Sequence, residues 1–234
     1  MILSIDTSTT GCSVALHRGY KLLARYELFT ERTSSSLLTT LINNAIQHTG
    51  HQLTDLDAIA VAKGPGSYTG LRIAVATAKG LCFALDKPLV AVNTLQAMAE
   101  QVRTAYTLMR IALKPDLNPV FLCPMIDARR MEVYCAMYDG GGVEIMPTTA
   151  KVIDSESFAK ELERATVLFF GDGAAKCQPV LGHHPNARFL EPPIHPSART
   201  VGVLAYSAFR EGHFEDLATF EPFYLKEFMS TQKK

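Results

Sequence analysis

Gly64-Pro65-Gly66-Ser67-Tyr68-Thr69-Gly70-Leu71-Arg72 is the stretch on which the fold reading turns. A largely apolar run, Leu56 to Ala62, precedes it and reads as a buried strand. Residues Leu71 to Leu85 follow with apolar side chains at helical spacing, and Asp86-Lys87-Pro88 stops them. Three glycines and a proline therefore sit at a strand-to-helix turn, where backbone N–H groups and the helix dipole favour an anion. Familiar templates fail here. A dinucleotide fingerprint needs glycine where Thr69 stands, and a P-loop needs Gly-Lys-Ser/Thr where the chain has Gly70-Leu71-Arg72. A nucleophile elbow needs glycine two residues before Ser67, at Pro65.

Working outward, strands are expected over about residues 2–6, 12–17 and 21–28, with turns at Thr9-Thr10-Gly11 and Arg18-Gly19-Tyr20. A helix is expected from Ser34 as N-cap to His48, with Gly50 just past its end. The strand near 57–62, the helix 67–85 and a strand from Pro88 to Val92 complete the first half. The second half repeats the order. Strands near 119–126 and 131–138 flank Asp127-Ala128-Arg129-Arg130, and Gly140-Gly141-Gly142 turns into a third. Helix 155–164, strand 166–170 and helix 197–211 follow. The expected architecture is α/β, two βββαβα halves around one cleft: residues 1–100, a linker at 101–118, and residues 119–234.

At 234 residues the chain suits two domains. Its 23 basic residues equal its 23 acidic ones, so no global field favours nucleic acid and any RNA contact rests on a local patch or a partner. Five cysteines lie mostly in apolar runs without a C-x-x-C pair, which reads as reduced, buried thiols in a cytoplasmic protein. No apolar run approaches the roughly 20 residues that span a bilayer.

Asp6-Thr7-Ser8, the loop Gly64 to Gly70, Val92-Asn93-Thr94-Leu95, Asp127-Ala128-Arg129-Arg130 and Pro222-Phe223-Tyr224-Leu225 together resemble the TsaB (YeaZ) family over essentially the whole chain. The resemblance implies the actin-like, sugar-kinase-like (ASKHA) fold. It also implies a subunit required for threonylcarbamoyladenosine formation in tRNA, partnered by the catalytic subunit TsaD and the small ATPase TsaE. In the catalytic relative an acidic pair follows the first strand, where this chain has Thr10 and Gly11. Its metal-binding histidines fall on Thr94 and Met98 here, so no catalytic or metal-ligating residue is carried over. The implied protein is a non-catalytic scaffold, contacting tRNA only through the complex, with ATP or ADP and magnesium at the complex interface. Rival readings are a small-molecule kinase of this fold, with Asp127 or Asp172 as base, and a metallopeptidase. The second lacks any H-E-x-x-H; the only near pair is His48 and His51.

For nucleotide contacts the candidates are Asp6, Thr7, Gly64, Gly66, Gly171 and Gly173. The competing reading is structural, with local hydroxyl turns at Asp6 and glycines that permit close helix–strand packing. A surface carries the other candidate site. On the helix after the loop, Leu71, Val75, Ala78, Cys82 and Leu85 form an apolar stripe. The opposite side, Ile73, Ala76, Thr77, Gly80, Phe83 and Ala84, is almost uncharged. Ala76, Gly80 and Ala84 form a small-residue ridge that permits close helix approach. The neighbouring helix presents Thr40, Asn43, Asn44 and Gln47. These ten residues are expected at a four-helix interface, in a homodimer or with TsaD, unless the same chain covers them.

Overall fold

The computed structural model describes residues 1–29, 35–113 and 119–226. The chain starts on its most buried strand, β1 (Ile2–Asp6), all five of whose residues are buried. It returns antiparallel as β2 (Gly11–Arg18) and β3 (Lys21–Phe29), then forms helix α1 (Ser35–Gln47). Next come β4 (Ala58–Gly64), α2 (Tyr68–Leu85), β5 (Leu89–Asn93) and α3 (Thr94–Leu113). The sheet order is β3-β2-β1-β4-β5, with β1, β4 and β5 parallel.

The second half has the same plan: β6 (Val120–Asp127), β7 (Glu132–Asp139), β8 (Glu144–Val152), α4 (Ala159–Arg164), β9 (Thr166–Phe170), α5 (Gln178–Leu181), β10 (Ala187–Phe189) and α6 (Ala198–Arg210). Its order, β10-β9-β6-β7-β8, is that of the first sheet read from the other edge. Each half is therefore βββαβαβα; β5 falls on the strand expected from Pro88 to Val92, whereas helix α3 and the pair α5 and β10 extend the expected βββαβα order. The expected α/β architecture of two similar halves is present.

Helices α3 and α6 lie between the sheets. On the first sheet, Leu3, Ile5, Val14, Ile59 and Val61 pack under α1 and α2. The opposite face (Ile2, Ala58, Ala60, Val90) is covered by Val201 and Ala205 of α6, a helix from the other end of the chain. Reciprocally, Leu95, Met98, Ala99 and Val102 of α3 pack on Leu122, Ile126, Ala136 and Phe170 of the second sheet. Residues 101–113, expected as linker, are thus the later part of a core helix; 114–118 lie outside the described residues. Sequence halves and packed layers do not coincide.

The glycine loop lies at the strand-to-helix turn between β4 and α2 that its sequence predicts. Ser67 caps α2, its hydroxyl accepting the Gly70 N–H at 3.3 Å, and Asp86 ends the helix in a left-handed conformation. For α1 the expected N-cap, Ser34, lies outside the described residues.

Candidate functional site

At the end of β4 the loop is held against the turn after β1. The Ser67 N–H donates to the Ser8 carbonyl at 2.6 Å, and the Thr7 hydroxyl donates to the Gly70 carbonyl at 2.7 Å. A Cβ on Gly66 would lie 2.2 Å from the Ser8 carbonyl oxygen, and one on Gly70 2.0 Å from that of Thr7. Gly64 (φ +113°) backs onto the Phe223 carbonyl, 2.8 Å from where its Cβ would be. Chain segments fill the space that these glycines leave open.

The second half repeats the arrangement. Gly171 (φ +105°) would place a Cβ 2.2 Å from the Met125 carbonyl oxygen, and Gly173 one 2.9 Å from the Ile126 carbonyl carbon. The Gly173 N–H donates to Met125 at 3.1 Å. In both halves the glycine loop is seated on the end of the central strand.

Asp6 terminates β1 and is 2% exposed. One carboxyl oxygen accepts the Ser8 N–H (2.9 Å) and hydroxyl (2.6 Å); the other is buried without a partner. Burial pushes its pKa up to about 6, against the lowering effect of the Ser8 hydrogen bonds. Cross-strand register adds a polar row, because Asp6 pairs with Ser13 and Ser13 with Glu27. The start of α6 closes on that row. The Ala198 N–H donates to Ser13 Oγ at 2.9 Å, and Ser197 Oγ to the Glu27 carboxylate. Sequence reading found Asp6 but missed Ser13, Glu27 and Ser197, whose only signal is the hairpin register.

Across from β1, Asp127 ends β6. Its carboxylate accepts from Lys176 Nζ and the Arg129 N–H (2.7 Å); these contacts outweigh burial and lower its pKa. Asp172 accepts the Asp127 N–H at 3.0 Å, and burial raises its pKa. Neither acid is presented as an unengaged base. Thr94 and Met98 are both buried, with the Met98 methyl beside Gly171. His48 bonds Tyr26 Oη at 2.5 Å and His51 meets Arg18 at 3.2 Å, so the two imidazoles serve different partners.

Among the described residues, the outward side of α1 and α2 is largely exposed. Ala76, Gly80, Phe83 and Ala84 are exposed, Phe83 to 86% of its surface, while Ile73 and Thr77 are half-buried. Nothing lies within 4 Å of a Cβ built on Gly80. On α1, Thr40, Asn43 and Gln47 are exposed and Asn44 half-buried. Of the inward stripe, Leu71, Val75, Ala78 and Cys82 are buried and Leu85 is half-buried. Among the described residues no helix is long and apolar enough to cross a membrane.

Residues 28–229 match the family model described as "TsaD: tRNA N6-adenosine threonylcarbamoyltransferase". The chain is similar to the tRNA threonylcarbamoyladenosine biosynthesis protein TsaB of Escherichia coli K12, with 29% identity over 99% of this chain and 97% of that one. It shares 34% identity with the Bacillus subtilis TsaB over 73% of this chain and 70% of that one. The solved structure of YeaZ from Pseudomonas aeruginosa superposes with a TM-score of 0.75 at 28% identity, over 96% of this chain and 99% of that one. A matching family model, relatives aligned along the length and a shared two-half fold converge, and the chain belongs to the TsaB (YeaZ) family of tRNA threonylcarbamoyladenosine biosynthesis proteins.

Proposed function

We propose that this protein is a non-catalytic subunit of the machinery that places threonylcarbamoyl on tRNA adenosine, and that it acts by docking through the α1–α2 face. The observation that carries the reading is the exposed, almost uncharged outer side of α2. A helix facing water keeps polar residues there, and a glycine in mid-helix costs about 1 kcal/mol against alanine. Phe83, largely in solvent, and Gly80 with open space above it are the features of a seam awaiting a second helix pair. The partner would be TsaD or a second copy of this chain, with TsaE joining the assembly and tRNA reached through it.

ATP or ADP with magnesium is proposed at the complex interface. Asp6 fits a hydrated cation, since one of its oxygens is buried and unpartnered. Thr7 already donates to Gly70, and the space beside Gly64, Gly66, Gly171 and Gly173 holds the chain's own backbone. From this chain, Asp6 is therefore the contact to test.

The direct test is threonylcarbamoyl transfer to tRNA in a mixture of donor-making enzyme, TsaD and TsaE, with and without this chain. Transfer should require the chain, while the chain alone transfers nothing. Transfer that is independent of it rejects the reading and sends attention to ATP turnover against a sugar panel, the kinase alternative. Gly80→Leu or Ala76→Arg should abolish association by light scattering while the circular dichroism stays unchanged. Unaltered association in both variants would remove the α1–α2 face from the proposal.

A further inference from the structure

The hairpin between β6 and β7 carries two features that the fold does not use. Arg129 and Arg130 both adopt left-handed backbone, with φ of +73° and +50°. For an L-residue with a Cβ this costs about 1–2 kcal/mol each, and glycine or asparagine is the usual occupant. The turn is closed tightly around them: the Glu132 N–H donates to Arg129 at 3.2 Å, and the Ala128 N–H to Glu132 at 3.1 Å. Both side chains are exposed, and neither guanidinium forms a hydrogen bond or salt bridge among the described residues. The Arg129 charge lies near enough to help hold the Asp127 carboxylate ionised, but among the described residues neither guanidinium has a hydrogen-bonded partner to offset the strain.

The surrounding charges are already matched. Lys176 pairs with Asp127 and Lys226 with Glu132, while Asp172 accepts the Asp127 amide. Counting all three carboxylates against Arg129, Arg130, Lys176 and Lys226, the hairpin keeps a net positive charge in a chain whose formal charge is zero. Two adjacent guanidinium forks on a rigid tip suit successive phosphates, each of which can take a bidentate pair of N–H bonds.

We propose that Arg129 and Arg130 contact the phosphate backbone of the tRNA substrate. The inference rests on the function proposed above, in which RNA is the polyanion delivered to the assembly. Contacts of this kind position RNA without reading its sequence. The hairpin would thus supply the local basic patch that the neutral composition leaves to be found.

The test compares wild type with the Arg129→Gly/Arg130→Gly double variant, in which the charges go and the backbone strain is relieved, so folding is not at risk. Binding of an unmodified tRNA transcript to the reconstituted assembly is titrated at several salt concentrations. Two lost phosphate contacts should flatten the slope of log K against log salt by about 1.4–1.8 and weaken binding about tenfold or more at low salt. The Arg129→Lys/Arg130→Lys variant should keep the slope. Unchanged slope and affinity in the glycine variant overturn the proposal. Loss of assembly by light scattering overturns it too, by assigning the hairpin to a protein partner. If no assembly forms even with wild type, the functional reading fails. The same salt titration on the isolated chain then decides this point: a flatter slope in the glycine variant supports the contact and equal slopes reject it.

Discussion

Asp6 and His17 lie on the same buried sheet and titrate in opposite senses. Burial pushes Asp6 up to about 6, so the folded state holds its proton more tightly than the unfolded chain does. Its stabilising contribution is complete in acid and is lost as pH rises from about 4 through 6. His17 is 1% exposed with both ring nitrogens unpartnered, and burial lowers its pKa to about 4, with Arg199 adding to the effect. Its contribution is complete above about 6.5 and is lost as pH falls toward 4. The two slopes oppose each other over the same window, and the wild-type melting temperature should change little across it. Asp6→Asn keeps an acceptor for Ser8 but removes the carboxyl titration, leaving His17 alone. The variant should therefore lose stability progressively as pH falls from about 6.5 to 4, by roughly 3 kcal/mol at the lower end, and melt correspondingly lower. Parallel melting-temperature profiles for the two proteins would show that Asp6 is not titrating in this range. Asp6 was legible in the sequence as a strand-end acid. Its orphaned oxygen and the row Asp6–Ser13–Glu27 were not, because they follow from hairpin register rather than from any local pattern.

Helix α2 holds two glycines ten residues apart whose roles separate cleanly. Gly70 touches the Thr7 carbonyl, where backbone leaves no room to adjust, whereas Gly80 faces open space. Gly70→Ala should destabilise the chain by about 3 kcal/mol, an overpacking cost taken against main chain. Gly80→Ala should stabilise the isolated chain by up to about 1 kcal/mol through helix propensity, and weaken association with whatever meets that face. Chemical denaturation of both variants, with association measured in parallel, checks the pair. A Gly80→Ala chain that is both more stable and equally associating would mean that the ridge is not a seam. The body and end of this helix were legible, since its stripe and its stop are local signals, whereas Ser67 as its cap emerges only in the structure. Helix α3 was not. Lys114-Pro115-Asp116 drew the eye to a linker, although Glu100 and Arg103, ion-paired at 2.6 Å, are one turn apart within it. Its apolar face reads poorly because it fits a sheet that comes later in the chain. The three-residue β10 carries too little pattern to be seen at all.

At the scale of the molecule, the two halves are tied in two ways that no single element reveals. The first is the exchange of α3 and α6, each of which covers the other half's sheet. The second is the segment after α6, which the sequence offered only as a family motif. Lys79 of α2 donates to the Phe220 carbonyl at 3.0 Å, and the Phe223 N–H donates to Lys63 at 2.7 Å. Tyr224 lies against Tyr68 with ring centroids 4.9 Å apart, and Lys226 pairs with Glu132 while facing the Tyr134 ring. The segment therefore runs from α2, past the glycine loop, to the strand that follows the arginine hairpin. Two halves packed on each other only through α3 and α6 can change their relative angle by sliding those helices, whereas a strap across their strand ends resists opening. A chain ending at Phe220 should keep both sheets but lose that restraint. Hydrogen exchange should then speed up at the β4–α2 loop and along β7, while β9 and α4, to which the described residues of the segment make no hydrogen bond, ion pair or ring contact, stay protected. A loss of about 1–2 kcal/mol should appear as a melting temperature lower by several degrees. Exchange that rises uniformly would indicate general destabilisation, and exchange that does not change would show that α3 and α6 alone set the angle between the halves. The localised outcome would mean that the docking face and the arginine hairpin are held in fixed relation, as expected of a subunit that works by positioning others.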